Sequence, residues 1–216
     1  MDGQPTIFIS IAAYRDPDCH RTIYNALQWA TYPERLVFGV VEQNTPGDLP
    51  CTHTRKPCKE DPTQLICKHR DNIRVDSVPA QQARRPTFGR HRADQMYNGE
   101  YFALQIDAHM YFVEHWDEEC IRQFNASKNE YAVLSTYPSE AKRKPNVIHG
   151  HSQLKTTPGI CKARFLEDGL VRHGGAGAVC LFSVSVWSCG DSGSQDGWTR
   201  GRACAAPVVG CWAQLL

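Results

Sequence analysis

The sequence predicts an α/β fold, a largely parallel sheet with helices on both faces. Three observations carry this expectation. Short, nearly continuous apolar runs recur at 7–12, 36–41 and 101–106, as in strands buried on both faces. Stretches with helical spacing of apolar residues lie between them. The first strand, helix and second strand also fall within residues 7–41, which suits one right-handed βαβ unit.

Taken in order, Ile7-Phe8-Ile9-Ser10-Ile11-Ala12 is the first strand, with β-branched residues at alternate positions. Tyr14-Arg15-Asp16-Pro17-Asp18 breaks it. Pro17 suits a first helical turn, with Asp16 as candidate N-cap. Ile23, Ala26, Leu27 and Ala30 then predict an amphipathic helix over 18–30. Leu36 to Val41 is the second buried strand. Residues 44–71 are polar and proline-containing without an apolar period, so they read as a long surface insertion. Residues 73–78 alternate and suggest an edge strand. A helix over 87–97 follows Pro86, then a strand over 101–106, a helix over 116–124 and a strand over 131–136.

Composition narrows the class. Hydrophobic residues make up 41% and charged residues 22% of the 216 residues, ordinary for a globular protein. A net charge of +1 gives no global field for nucleic acid or membrane surfaces. No run approaches the roughly 18 apolar residues that span a bilayer. The apolar stretch at 7–13 is short and lacks a basic leader, so the expected location is cytoplasmic. Ten cysteines are present, without a CxxC pair. Cys51, Cys58 and Cys67 share one insertion with His53 and His69. Structural zinc usually needs close ligand pairs, so reduced loop cysteines are expected rather than a metal knot.

The stretch 174–216 differs from what precedes it. It holds only four formal charges, Asp191, Asp196, Arg200 and Arg202, and no helical or strand period organises it. The expected division is a domain over 5–173 and an atypical low-charge tail over 174–216.

The chemistry centres on Asp107-Ala108-His109, delivered by the strand before it. Ligands in open α/β sheets bind beyond the carboxyl ends of strands. A carboxylate and an imidazole two residues apart suit Mn²⁺ or Mg²⁺ with open positions for diphosphate oxygens. On position alone, a turn-capping aspartate and a half-exposed histidine fit equally well. Arg84, Arg85, Arg90 and Arg92 crowd Pro86-Thr87-Phe88-Gly89, so the next helix start is a candidate diphosphate cradle. A solvated basic face is the alternative. Tyr14, Arg15 and Asp16 end the first strand, where base or ribose contacts fall in nucleotide folds. Asp16 as a simple helix cap is the alternative there. Asp117 sits in a first helical turn, where the dipole favours acids, and is a lesser candidate for sugar hydroxyls.

Three blocks together resemble the cytosolic GlcNAc-transferases that modify hydroxyproline: Ile9 to Asp16, Ala83 to Arg90, and Tyr101 to Asp117. The likeness covers roughly residues 5–172. More distantly, the chain is similar to polypeptide GalNAc-transferases, which share an aspartate-x-histidine motif. The resemblance implies a GT-A-like, Rossmann-type mixed sheet flanked by helices, here incomplete at the C-terminus. It implies a UDP-GlcNAc donor, a divalent metal on Asp107 and His109, and donor contacts from Tyr14, Arg15, Asp16, Arg84, Arg90 and Asp107. It also implies a protein hydroxyl acceptor, in that family a ubiquitin-ligase adaptor subunit. Two positions depart from the family pattern, which usually has glycine at Arg85 and alanine at Gly89. Beyond His173 the family's acceptor-half blocks are missing, as after a shifted reading frame or retained intron. Two readings follow: a GlcNAc-transferase, or an inactive truncated sugar-nucleotide-binding or interaction module.

Overall fold

The computed structural model of the chain describes residues 5–134 together with 147–148, 151–152, 159–165 and 171–176. The expected strand at 131–136 is described only to Leu134, which forms a single bridge; residues 135–136 lie outside the described residues, as does 177–216.

Eight parallel residues of β1 (Ile7–Tyr14) pair with β2 (Leu36–Asn44) on one side. On the other side β1 pairs in parallel with β4 (Phe102–Asp107). The edge strand β3 (Ile73–Pro79) adds to β2, so the main sheet runs β3-β2-β1-β4. The α/β expectation therefore holds, with a four-stranded parallel sheet and each expected strand and helix to 126 in place. Two antiparallel pairs are described apart from it, β5 (Val147–Ile148) with β6 (His151–Ser152) and β7 (Gly159–Phe165) with β8 (Val171–Ala176).

Alternation along β1 explains how both faces are covered. Ile7, Ile9, Ile11 and Ala13 join a core with Ile23, Ala26 and Leu27 of α1 (Cys19–Trp29) and with Trp116, Cys120 and Phe124 of α4 (Trp116–Ala126). The intervening residues face the other way. Phe8 packs edge-on against Tyr97, and Ser10 donates a hydrogen bond to Asp94 of α3 (Arg85–Asp94) at 3.0 Å. The missing side chain of Gly89 lets α3 lie close on the sheet. A Cβ there would stand 3.0 Å from the Ala12 Cβ and 3.1 Å from Gln43 Nε2.

Two expectations are corrected here. The first concerns the cysteines: Cys19 is joined to Cys51 and Cys58 to Cys67 by disulfides. Chain reversal in 44–71 brings Cys51 back to the start of α1, which spacing alone does not reveal. His53 meets the His20 ring edge-on instead of a sulfur, and the described residues contain no group of three potential metal ligands. The insertion also carries structure, a short α2 (Leu65–Lys68) with Ile66 buried. Closing loops of 32 and 9 residues stabilises by about 3.5 and about 2.5 kcal/mol on the chain-entropy account. The substitution Cys19→Ser is therefore expected to lower unfolding free energy by about 3 kcal/mol in urea titration, and reductant should have little further effect on that bridge.

The second correction concerns Asp117. It is fully buried and accepts hydrogen bonds from the Thr31 and Tyr32 amides at 2.8 and 3.1 Å and from Arg35 Nη2 at 2.6 Å. It is thus a structural anion under the 30–35 turn and not a sugar contact.

Candidate functional site

The strand order creates the site. From β1 the chain proceeds outward through β2 to β3, then returns to place β4 on the opposite side of β1. That reversal makes the carboxyl ends of β1 and β4 a topological switch point, where a crevice forms between diverging connections. The register places Ala12 beside Asp107. The two segments singled out by sequence, Tyr14-Arg15-Asp16 and Asp107-Ala108-His109, therefore emerge side by side although about 90 residues separate them.

The side chains meet there. His109 Nδ1 lies 2.8 Å from Asp16 Oδ2, and Asp16 Oδ1 accepts from the Asp18 amide at 2.9 Å. The expected capping role of Asp16 is thereby replaced: the N-cap position of α1 falls on Asp18, with no side-chain cap bond. Arg90 Nη2, projecting from α3, donates to Asp107 Oδ1 at 3.1 Å. Asp107 and His109 are each about half exposed, so both remain open to a ligand.

The backbone beneath is held firmly. Thr22 Oγ1 of α1 donates to the Ala108 carbonyl and accepts from the Met110 amide, both at 2.8 Å. Arg15 adopts φ +48°, in the left-handed region that costs a non-glycine residue conformational energy. Its guanidinium crosses to Asp48 of the insertion, with Nε 2.9 Å from Oδ2. The hydrogen bond from Arg15, followed by the Thr45 backbone and hydroxyl donors, holds the Asp48 carboxyl well below the usual carboxylate range. A depressed carboxyl keeps its link at neutral pH and loses it only on acidification below the ordinary aspartate range. Tyr14 is 60% exposed beside this loop.

The remaining arginines separate. Arg92 pairs with both Asp76 oxygens, at 2.6 and 2.9 Å, so it braces α3 against β3. Arg84 stands over the Phe88 ring, 6.0 Å from its centroid. It lines a cavity of about 510 Å³ with Ser77, Gln81 and Phe88, among others. Among the described residues, neither arginine is hydrogen-bonded or ion-paired to Asp107. Sequence reasoning missed Asp48 and Gln43. Gln43 Nε2 donates to the Ala13 carbonyl, and its buried Oε1 has no hydrogen-bond partner among the described residues. Nothing in the local pattern distinguishes either residue from ordinary loop and strand-end polar groups.

Arg85 gives the first family departure a physical meaning. Its φ is +68°, where glycine is free of strain. The substitution Arg85→Gly is therefore expected to raise stability by about 0.5–1 kcal/mol, the left-handed penalty less the entropy of glycine. A melting temperature shifted upward checks this; a downward shift contradicts it.

A carboxylate, an imidazole and an arginine at the open end of a parallel sheet define an α/β protein with a polar crevice at its switch point. The family follows from comparison: the profile of Glycosyltransferase (GlcNAc) matches residues 6–64 and 54–212, and the chain belongs to that family. No curated protein matches. Among solved structures, the crystal structure of S. aureus TarS 1-349 is similar over 65% of this chain and 38% of that one, with 16% identity and a TM-score of 0.43. The chain thus spans well under half of that structure's length.

Proposed function

We propose that this chain binds UDP-GlcNAc at the β1–β4 switch point and transfers GlcNAc to a protein hydroxyl of the hydroxyproline type. The observation that carries the reading is the convergence of Asp16, Arg90, Asp107 and His109 at the carboxyl ends of β1 and β4 in a chain of this family.

The residues fit a divalent metal such as Mn²⁺ or Mg²⁺. Asp107 retains an oxygen beyond the one bonded to Arg90, and His109 retains Nε2 beyond its bonded Nδ1. Two protein ligands leave positions for diphosphate oxygens and water. When bound, the metal supplies Lewis-acid stabilisation to the departing diphosphate. Arg90 lies beside Asp107 and would turn its guanidinium to the same phosphates, where bidentate pairing is strong. Tyr14, exposed at the strand end, offers its ring to the uracil, with Arg15 following it in the chain, while Arg84, in the cavity beside Phe88, would reach a more distant part of the donor. Retention at the anomeric carbon would lessen the need for a separate base, and electrostatic stabilisation of the leaving group would carry much of the rate.

No helix among the described residues is long and apolar enough to cross a membrane. The Cys19–Cys51 and Cys58–Cys67 disulfides favour an oxidising compartment over the reducing cytosol. The partners are a UDP-sugar and an acceptor protein; an oxidising location argues against a cytosolic ubiquitin-ligase adaptor subunit as the acceptor.

Release of UDP from UDP-GlcNAc in the presence of Mn²⁺, with and without a hydroxyproline peptide, tests the reading. UDP formed under either condition supports a transferase. Tight UDP binding without any UDP formation identifies a non-catalytic sugar-nucleotide module instead.

A further inference from the structure

We propose that Asp16 is the positioning residue of His109: it fixes the imidazole with Nδ1 protonated so that the Nε2 lone pair faces the crevice as a metal ligand. This rests on the metal reading above and adds a residue and a role to it. Three observations support it. The Asp16 Oδ2 to His109 Nδ1 distance is 2.8 Å, and the Asp16 side chain is only 16% exposed against 55% for His109. A carboxylate only accepts hydrogen bonds, so Nδ1 must carry the hydrogen and Nε2 the lone pair in the neutral ring. Both Asp16 oxygens are engaged, one by His109 and one by the Asp18 amide, which leaves the carboxylate as a fixed brace and not a free ribose contact.

The backbone is arranged to the same end. Thr22 grips the chain at Ala108 and at Met110, the residues on either side of His109. The imidazole is therefore fixed at both its root and its rim. Asp16 itself is secured from behind, because Cys19, three residues on, is tied to Cys51. Histidine ligands commonly give their second ring N–H to a carboxylate, which sets ring orientation and raises basicity, and losing that partner costs roughly 10–100-fold in metal affinity.

The test uses the full chain with Mn²⁺ and UDP as probes. Mn²⁺ affinity is read by titration calorimetry for the wild type, Asp16→Asn, Asp16→Ala and His109→Ala, and the His109 tautomer by ¹⁵N NMR of the metal-free chain. The expected results are an Nδ1–H tautomer in the wild type and its loss in Asp16→Ala. Mn²⁺ should bind about tenfold more weakly in Asp16→Asn at unchanged melting temperature. Asp16→Asn keeps an acceptor for the Asp18 amide, so it decides the matter if Asp16→Ala unfolds. Wild-type affinity in Asp16→Asn, or an Nε2–H tautomer in the wild type, overturns the proposal. Absence of Mn²⁺ binding in the wild type overturns the metal reading itself, while the tautomer still reports on the Asp16–His109 pair.

Discussion

Asp107→Ala is expected to abolish Mn²⁺-dependent binding of UDP-GlcNAc while leaving the melting temperature within a degree or two of the wild type. Asp107 is half exposed, and among the described residues its side chain pairs with Arg90 alone, at 3.1 Å. An exposed pair of this kind contributes about 0–1 kcal/mol to folding. Its proposed work is on the ligand. Loss of a metal's Lewis-acid contribution, of order 4 kcal/mol, corresponds to a fall of about a thousandfold in turnover. Arg90→Met should weaken donor binding less, because the metal would still hold the diphosphate. Titration calorimetry and UDP-release kinetics on the two variants check the order. An Asp107→Ala chain that binds donor and metal as the wild type does would remove Asp107 from the site.

The opposite profile is expected for Asp117→Ala: a large loss of stability with no specific loss of donor binding in whatever fraction stays folded. Asp117 has no exposed surface and Arg35 is 4% exposed. Two Arg35 nitrogens and two backbone amides converge on the carboxylate. Truncating one partner of a buried pair strands the other charge in a poor dielectric, at about 3–5 kcal/mol. A domain of this size has about 5–15 kcal/mol in total, so the urea midpoint should drop sharply. The double variant Arg35→Met with Asp117→Leu should lose much less, since replacing both charges by apolar groups is often near neutral. Equal losses in the single and double variants would contradict this account. A stable Asp117→Ala chain lacking donor binding would revive a sugar-contact role for the residue.

These two aspartates show what the sequence makes legible and what it conceals. Asp107 and Asp117 stand ten residues apart, both acidic and both near an element end. The strand before Asp107 was readable from Phe102, Leu104 and Ile106, and so was its exit at the carboxyl edge. The burial of Asp117 was not, because it depends on Arg35 arriving from the α1–β2 connection. Likewise, the apolar runs displayed the strands of the sheet but not their order. Only the order β3-β2-β1-β4 sets Asp16 beside His109, and no local period encodes which strand lies next to which. The cysteine pairs were hidden for the same reason. Cys19 and Cys51 are bridged across a chain reversal whose path depends on tertiary packing, in which Glu42 accepts from the Cys51 amide at 2.9 Å. Positive φ at Arg85 was equally hidden, since arginine itself signals no left-handed turn.

Titration calorimetry of UDP-GlcNAc into the full chain, with Mn²⁺ and again with chelator, tests the central claim most directly. Saturable binding with Mn²⁺ that disappears with chelator, and that Asp107→Ala and His109→Ala each eliminate, is the predicted result. Absence of binding under both conditions, or binding indifferent to chelator and to both substitutions, would contradict a sugar-nucleotide site at the junction of β1 and β4.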